Sequence, residues 1–172
     1  MNSIAYSAES GDSAKQLLTI ARETIAKVKN CWLVTVTQAG EARARIVAPI
    51  PGVPGQSEWL VWVLTSGASR KIDDIRRNDR VTLGYQYDPE SAYVALFGHA
   101  TIVDDRLEIS ERWIQSWDKV FQAGAEDTDA VFIKIQVHRI ELFSLAREVT
   151  PAPFCKRSAA LDLDGAGNWR VA

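Results

Sequence analysis

The sequence is poor in the residues that build metal centres and disulfide frameworks. It contains two cysteines, Cys31 and Cys155, and neither belongs to a CxxC pair. Its two histidines, His99 and His138, are too few for a zinc site unless scattered carboxylates complete the ligand set. We therefore predict two reduced thiols, structural histidines and no metal centre.

An excess of charge of one sign is also absent. The formal net charge is -2 at pH 7 and the isoelectric point is about 5.7. Nucleic-acid and membrane-surface partners therefore have no electrostatic support. Apolar residues nowhere run long enough to cross a bilayer, and the first residues lack the pattern of a signal peptide. We expect a soluble cytoplasmic protein.

The motifs of common nucleotide and hydrolase sites are missing as well. No GxSxG, GxxxxGK[ST] or HExxH segment occurs, and the lone GAG at 165–167 neither follows a long strand nor opens a helix. This excludes a Rossmann nucleotide site. Asp162, Asp164 and Asn168 are similar to the start of a calcium-binding loop, but a plain turn is the favoured interpretation.

Length and composition favour one globular domain over residues 1–172, because 172 residues with 47% hydrophobic side chains can bury a sizeable core. We expect the core of this domain to span 12–145, and 146–172 to form a C-terminal appendage with a hairpin around the turn DGAGN. The segment Gly11-Asp12-Ser13 predicts the start of a first helix that ends near Asn30.

Segments rich in β-branched and aromatic residues recur at short spacing, which is typical of an antiparallel sheet or barrel rather than of alternating strands and helices. These predicted strands lie at 31–37, 41–50, 58–65, 80–86, 92–103 and 130–145, with a break at the segment PGVPG, 51–55. Residues 69–78 predict a short crossover helix. A later helix is predicted from a stripe formed by Leu107, Ile109, Trp113, Ile114, Trp117, Val120 and Phe121.

The most informative segment runs from Thr65 to Lys71, where a strand end passes through small residues into the short helix. The first turn of a helix carries unpaired N–H groups and a partial positive charge, so Arg70 and Lys71 are unexpected there. A bound phosphate would explain them, because it could accept hydrogen bonds from free amides, from the Ser69 hydroxyl and from both cations. The alternative is that Asp73 and Asp74 neutralise the turn and that both cations are solvated.

Arg43 and Arg45 favour the phosphate interpretation, because residues two apart on a strand project from the same face. A strand arginine with a bidentate fork and a helix lysine together grip a phosphate monoester better than either alone. Exposed hairpin arginines are the alternative. Of the tryptophans, we assign Trp32, Trp59 and Trp62 to structure, and Trp113 and Trp117 are candidates for a site or an interface.

Several short motifs, each weak alone, occur in an order that resembles the FMN-binding split-barrel family, which includes pyridoxamine 5'-phosphate oxidase. They are ARIV at 44–47, LT at 64–65, SRK at 69–71, YVALFGHA at 93–100 and VDD at 103–105. The last two resemble the general stress protein 26 branch of that family. The resemblance covers about 17–145.

This resemblance implies a mainly β fold with flanking helices, a six-stranded antiparallel split β-barrel, in a homodimer with FMN at the subunit interface. By their matching positions, Arg45, Arg70 and Lys71 would hold the FMN phosphate with help from Ser69. Ile46, Val47, Leu64 and Thr65 would flank the flavin. We add Trp117 as a flat wall of the same cofactor site.

The resemblance also implies a flavin-dependent oxidoreductase acting on a small molecule. Pyridoxamine phosphate oxidation is disfavoured, because the C-terminal Arg-x-His segment of that oxidase has no counterpart, and Tyr93 stands where the oxidase has a glutamine that reaches FMN. The sequence leaves open a non-catalytic protein that stores or senses FMN, and a deazaflavin-dependent reductase. Haem binding is a remoter alternative. No catalytic side chain can be assigned, because a flavin itself carries out the redox chemistry.

Overall fold

The structure is a computed structural model that describes residues 9–50, 56–149 and 157–172. These residues do not include the predicted break at 51–55 or the predicted free thiol of Cys155. For Asp12, the structure describes the backbone but not the side chain. No helix among the described residues is long and apolar enough to span a membrane.

The fold is mainly antiparallel β with a few helices, which confirms the predicted class. The strands are β1 (Cys31–Val36), β2 (Ala42–Val47), β3 (Pro49–Ile50), β4 (Leu60–Ser66), β5 (Arg80–Tyr87), β6 (Ala92–Val103), β7 (Ala130–Ser144), β8 (Ala159–Leu163) and β9 (Trp169–Val171). The α-helices are α1 (Glu9–Ala26), α2 (Arg70–Arg77) and α3 (Arg106–Glu111), and short 3-10 turns lie at Asp88–Glu90, Gln115–Lys119 and Gly124–Glu126.

Seven strands follow one another across the sheet in the order β2-β1-β5-β6-β7-β4-β3, and β8 and β9 are added through β7. Within the described residues, the sheet therefore has nine strands where six were predicted. The difference arises because the two-residue β3 pairs with β4 and the tail hairpin pairs with β7, while the six longer strands agree with the predicted ones.

The described residues form two compact units. Unit 1 comprises the described parts of Met1–Trp32, Thr82–Phe97 and His138–Ala172, and unit 2 comprises those of Leu33–Val81 and Gly98–Val137. Strand β7 contributes to both units. Its first half pairs with β4 from Ala130↔Ser66 to Gln136↔Leu60, and its second half pairs with β8 from Arg139↔Asp162 to Leu142↔Ala159.

Helix α1 differs from its prediction at both ends. It already includes Glu9, so Gly11 and Ser13 lie inside its first turns and do not cap it. It ends at Ala26 instead of near Asn30, because the next amides turn back to carbonyls three residues earlier, as in the bond from Val28 N to the Ile25 oxygen. This tighter turn redirects the chain into β1.

The predicted late helix was wrong as a single element. Helix α3 begins at the N-cap Asp105, whose carboxylate accepts a hydrogen bond from the Glu108 amide, and it ends at Glu111. The next residues form two 3-10 turns, and the predicted stripe is not a buried face, since Leu107 and Val120 are more than 70% exposed. The chain does not continue as a helix beyond Glu111. Instead, a side-chain bond joins the two ends of the following segment, in which the Trp113 indole donates to the Asp118 carboxylate at 2.8 Å.

The core of unit 2 beneath this region is aromatic. Trp62 on β4 and Phe132 on β7 are fully buried together with Ile109 of α3, and the two rings meet edge to face with centroids 5.8 Å apart. Of the three tryptophans assigned to structure, Trp59 and Trp62 are buried and Trp32 is half exposed.

The tail hairpin of unit 1 was predicted at its observed position. Strands β8 and β9 flank a turn in which the Asp164 carboxylate accepts bonds from the Ala166 and Asn168 amides and from Arg170. Asp162 pairs with Arg139 at 2.9 Å. Both aspartates therefore have structural partners, which agrees with the turn interpretation.

Candidate functional site

Three elements of unit 2 bring the predicted cations together. Strand β2 carries Arg43 and Arg45 on one face, strand β4 ends at Thr65 and Ser66, and helix α2 follows with Lys71 in its first turn. The Lys71 ammonium donates to the Thr65 hydroxyl at 2.6 Å. The strand end therefore fixes the direction of the helix lysine.

A buried carboxylate lies at the centre of this group. Asp74 is 3% exposed, and its Oδ2 atom accepts bonds from the Thr35 hydroxyl at 2.8 Å, from Arg43 at 3.2 Å and from Arg45 at 3.3 Å. Arg45 also donates from Nη1 to the Thr35 hydroxyl oxygen at 2.7 Å. Both strand arginines thus turn toward α2, as expected of residues two apart on a strand.

The pKa shifts in this group follow from burial and from neighbouring charges. Burial is the main cause that lowers the pKa of Arg45 and of Lys71, and the Arg45 charge lowers the pKa of Lys71 further. Burial would raise the pKa of Asp74, but the Thr35 hydroxyl and the two guanidinium groups outweigh it, so this pKa lies below its usual value. Asp74 is therefore ionised at neutral pH.

Ser69 lies at the N-cap of α2 and has an unsatisfied hydroxyl. Its Oγ atom is buried and has no hydrogen-bond partner among the described residues, and it makes no capping bond to the helix. The preceding amides are used, because Gly67 donates to the Asp129 carbonyl and Ala68 to the Asp129 carboxylate. A buried hydroxyl without a partner is costly, so this atom fits a ligand oxygen.

A cavity of about 450 Å³ lies beside Lys71. It is lined by Ile46, Val47, Ala48, Leu64, Thr65, Ser66, Lys71, Trp117, Val120, Phe121, Asp127 and Asp129. Seven of these residues are apolar, and the polar remainder comprises Thr65 and Ser66 at the end of β4, Lys71 on α2, and the two aspartates Asp127 and Asp129. This volume lies within the range of small-molecule sites.

The structure brings six of the nine predicted cofactor residues to this cavity, namely Ile46, Val47, Leu64, Thr65, Lys71 and Trp117. Arg45 does not line it but is close enough to Lys71 to lower the pKa of its ammonium group. Ser69 lies between the cavity-lining Ser66 and Lys71 in the chain. Arg70 is exposed and lines a second cavity of about 370 Å³ together with Arg43 and Arg77.

Trp117 reaches the cavity from a 3-10 turn instead of the predicted helix. Its ring packs edge to face against Trp113, with centroids 5.5 Å apart, and against the buried Phe132 at 6.0 Å. Trp113 also packs against Phe121, which itself lines the cavity. These edge-to-face contacts hold the Trp117 and Phe121 rings, which form the aromatic part of the cavity lining.

Sequence reasoning missed Thr35 and Asp74 as members of the site. The available signal was position, because Asp74 immediately precedes Ile75 and follows Ile72 by two residues, and both isoleucines are buried on α2. Residues 72, 74 and 75 are thus the buried part of the helix. An aspartate there needs positively charged or hydrogen-bonding partners.

In the part of the chain that the structure describes, no group of histidine, cysteine, aspartate and glutamate side chains could hold a metal ion. The side chain of His99 lies 3.0 Å from the Asp79 carboxylate, outside the cavity lining. The site therefore combines cations, hydroxyls, apolar walls and the two cavity-lining aspartates, Asp127 and Asp129.

Solved structures similar to this chain share its fold at low sequence identity. A protein related to general stress protein 26 from Clostridium acetobutylicum superposes with a TM-score of 0.68 at 16% identity, over 77% of this chain and 91% of that one. General stress protein 26 from Bacillus anthracis gives 0.62 at 22% identity, over 74% and 94%. A pyridoxamine 5'-phosphate oxidase-related, FMN-binding protein from Nostoc punctiforme gives 0.66 at 10% identity, over 92% and 95%.

These identities establish the fold alone, which is that of the split-barrel proteins. Among curated protein sequences, none matches this chain. The model of one protein family, described as pyridoxamine 5'-phosphate oxidase like, matches residues 16–150, which is most of the chain. The chain therefore belongs to the pyridoxamine 5'-phosphate oxidase-like family.

Proposed function

We propose that this protein is a flavoprotein that binds FMN noncovalently at the cavity beside Lys71. The observation that carries the proposal is a cavity that Lys71 lines together with apolar side chains of β2 and β4. The Arg45 charge is close enough to lower the pKa of Lys71, and the unsatisfied Ser69 hydroxyl belongs to the residue two positions before it in the chain. Two further findings support it. The chain belongs to the pyridoxamine 5'-phosphate oxidase-like family, and the structural relative from Nostoc punctiforme is described as FMN-binding.

The residues present fit the phosphate of such a ligand. Arg45 uses one N–H for Thr35 and one for Asp74, and a guanidinium has five, so donors remain for phosphate oxygens. Ser69 offers a buried hydroxyl and Lys71 a point charge. Arg70, exposed in the first turn of the same helix, would complete the phosphate set.

The apolar walls fit the ring. Ile46 and Val47 on β2, together with Leu64 and Thr65 on β4, would flank the flavin, and Trp117 would provide a flat wall. When bound, FMN would supply two-electron redox chemistry toward a small organic molecule. The residues of this chain would anchor the phosphate, orient the ring and keep water from it.

A second subunit is part of the proposal. Ile46 is 62% exposed and Val120 is 73% exposed, although both line the cavity, so one wall of the site faces solvent in a single chain. A homodimer with FMN at the interface would cover these side chains. Such a dimer would enclose the ring from both sides.

The test is a titration of the purified protein with FMN, followed by flavin fluorescence. Lys71→Ala should weaken FMN binding by about tenfold or more, because it removes a charge-assisted bond to the phosphate. Lys119→Ala is the matched control, since Lys119 lies on an exposed 3-10 turn and does not line the cavity. Absence of FMN binding by the wild-type protein would refute the proposal, and equal affinities for the two variants would refute the phosphate anchor.

Two further measurements define what the flavin does. The absorption spectrum of the protein as expressed separates bound flavin from deazaflavin. Anaerobic photoreduction followed by a screen of acceptors separates an oxidoreductase from a carrier, because only an oxidoreductase should have an acceptor that speeds reoxidation. A flavin that no acceptor reoxidises faster than free FMN would favour storage or sensing.

A further inference from the structure

The guanidinium of Arg45 is held by two other elements of unit 2. One donor bonds to the hydroxyl of Thr35 on β1 at 2.7 Å, and another bonds to the carboxylate of Asp74 on α2 at 3.3 Å. Thr35 in turn donates to Asp74 at 2.8 Å. The three polar groups form a closed triangle that fixes the plane of the guanidinium.

This triangle is unusual because two of its members are buried. Thr35 is fully buried and Asp74 is 3% exposed. A buried carboxylate is tolerated only where charged partners and hydrogen bonds compensate for lost water. It has little value for stability when compared with an apolar side chain in the same place. The hydrogen bond of Asp74 to Arg45 therefore points to a role in orienting that side chain.

We propose that Asp74 and Thr35 are positioning residues that orient Arg45 toward the ligand phosphate and so determine the preference of the site for a phosphorylated flavin over an unphosphorylated one. This inference rests on the proposed FMN function. Arginine side chains lose considerable rotamer freedom when they bind a ligand, and a guanidinium that is already oriented loses less. Riboflavin lacks the phosphate and should be insensitive to this orientation.

The negative charge of Asp74 could also repel a phosphate, and the two effects have opposite signs. Arg43 decides between them, because its Nη1 atom contacts both carboxylate oxygens of Asp74, at 3.3 and 3.2 Å. Arg43 thereby offsets the charge of the carboxylate, while the charge of Arg45 is left for the ligand. Orientation should therefore outweigh repulsion, and removal of the carboxylate should weaken FMN binding.

The experiment compares dissociation constants for FMN and riboflavin, both measured by flavin fluorescence. Asp74→Asn should weaken FMN binding by about tenfold and Thr35→Val by about threefold, because each removes a polar contact of Arg45. Riboflavin binding should change by less than about twofold in both. Thr24→Val is the matched control, since it removes a buried hydroxyl of unit 1 that bonds to the Ile20 carbonyl of its own helix. It should leave both constants unchanged.

A double variant separates orientation from charge. In an Arg45→Ala background, Asp74→Asn should cause no further loss of FMN affinity, and a gain is expected, because only the repulsion is left to remove. A further loss would overturn the inference, and so would a parallel loss of riboflavin affinity in the single variants. If Asp74→Asn does not fold, Thr35→Val carries the test alone.

The possible results distinguish a failure of the positioning role from a failure of the proposed FMN site. Wild-type protein that binds FMN, combined with an unchanged FMN-to-riboflavin ratio in both variants, overturns the positioning role and leaves the FMN site standing. Wild-type protein that binds neither flavin overturns both proposals. A selective loss of FMN affinity supports both.

Discussion

Two neighbouring aspartates on α2 have opposite environments. The Asp73 side chain is 55% exposed and lies 3.8 Å from Arg76, whereas Asp74 is buried among Thr35, Arg43 and Arg45. From sequence, both serve equally well to neutralise the first turn of the helix. The structure shows that Asp74 instead compensates the charges of β2. The local spacing places Asp74 beside the buried isoleucines of the helix, but it does not show which distant side chains pair with it.

Acid should weaken the fold through Asp74. Because its pKa is lowered from 3.8 in the folded state, its ionised form stabilises the protein above about pH 4, and this contribution is lost as the pH falls through the folded pKa. At pH 7, Asp74→Asn should lower the free energy of unfolding by about 1–3 kcal/mol. The difference from wild type should shrink below pH 4, as measured by urea unfolding. An equal difference at pH 7 and pH 3 would contradict this role.

Elements with strong periodicity were predicted well. Strand β6 was predicted with the observed bounds, β7 ends one residue before its prediction, and the β1–β2 turn closes at Gly40, whose φ of +81° favours glycine. The late helix failed for a physical reason. Its apolar residues do not share one environment, because Trp113 and Trp117 pack on each other whereas Val120 is exposed to solvent. The segment therefore has no single apolar face that a continuous helix would bury.

The contact between β6 and β7 has a requirement that periodicity does not show. A Cβ atom at Gly98 would lie 2.7 Å from the Gln136 carbonyl oxygen and 2.7 Å from a methyl group of Ile135. Since the first of these is backbone, it cannot move without distorting β7. The close approach of the two strands therefore needs glycine at this position.

Gly98→Ala should lower the free energy of unfolding by about 2 kcal/mol, because the added methyl overpacks the strand contact. Gly84→Ala is the matched control on the neighbouring strand β5, where the nearest atom to a new Cβ is 3.9 Å away. It should change stability by less than about 1 kcal/mol. Urea unfolding followed by tryptophan fluorescence measures both, and similar losses for the two variants would refute the steric argument.

For the whole molecule, the sequence allowed a more complete prediction of the fold than of the side-chain contacts at the site. The family model matches 16–150, and structures at 10–22% identity share the fold, since the strand pattern tolerates many side chains. Six of the predicted cofactor residues meet at one cavity because β2, β4, the start of α2 and the 3-10 turn at Gln115–Lys119 adjoin it. The triangle of Thr35, Arg45 and Asp74 could not be predicted, because it depends on how three separate elements pack.

Exposed apolar side chains at the cavity bear on the association state. Ile46 follows Arg45 on β2, is 62% exposed and lines the cavity, and the exposed Val120 lines the same cavity. Isolated exposed apolar residues are ordinary, but two that line the same cavity favour a covering partner. We propose that this partner is a second copy of the chain.

Sedimentation equilibrium should therefore give about twice the chain mass of 19.1 kDa. Ile46→Glu should shift the protein toward the monomer, because the subunit interface would then bury an unpaired carboxylate. The same variant should weaken FMN binding, because loss of the second subunit would leave the cavity uncovered. Leu107→Glu is the control, since Leu107 is 77% exposed on α3 and does not line the cavity, so neither property should change. A monomeric wild-type protein that binds FMN normally would show that one chain completes the site, because then the exposure of Ile46 would carry no consequence for the ligand.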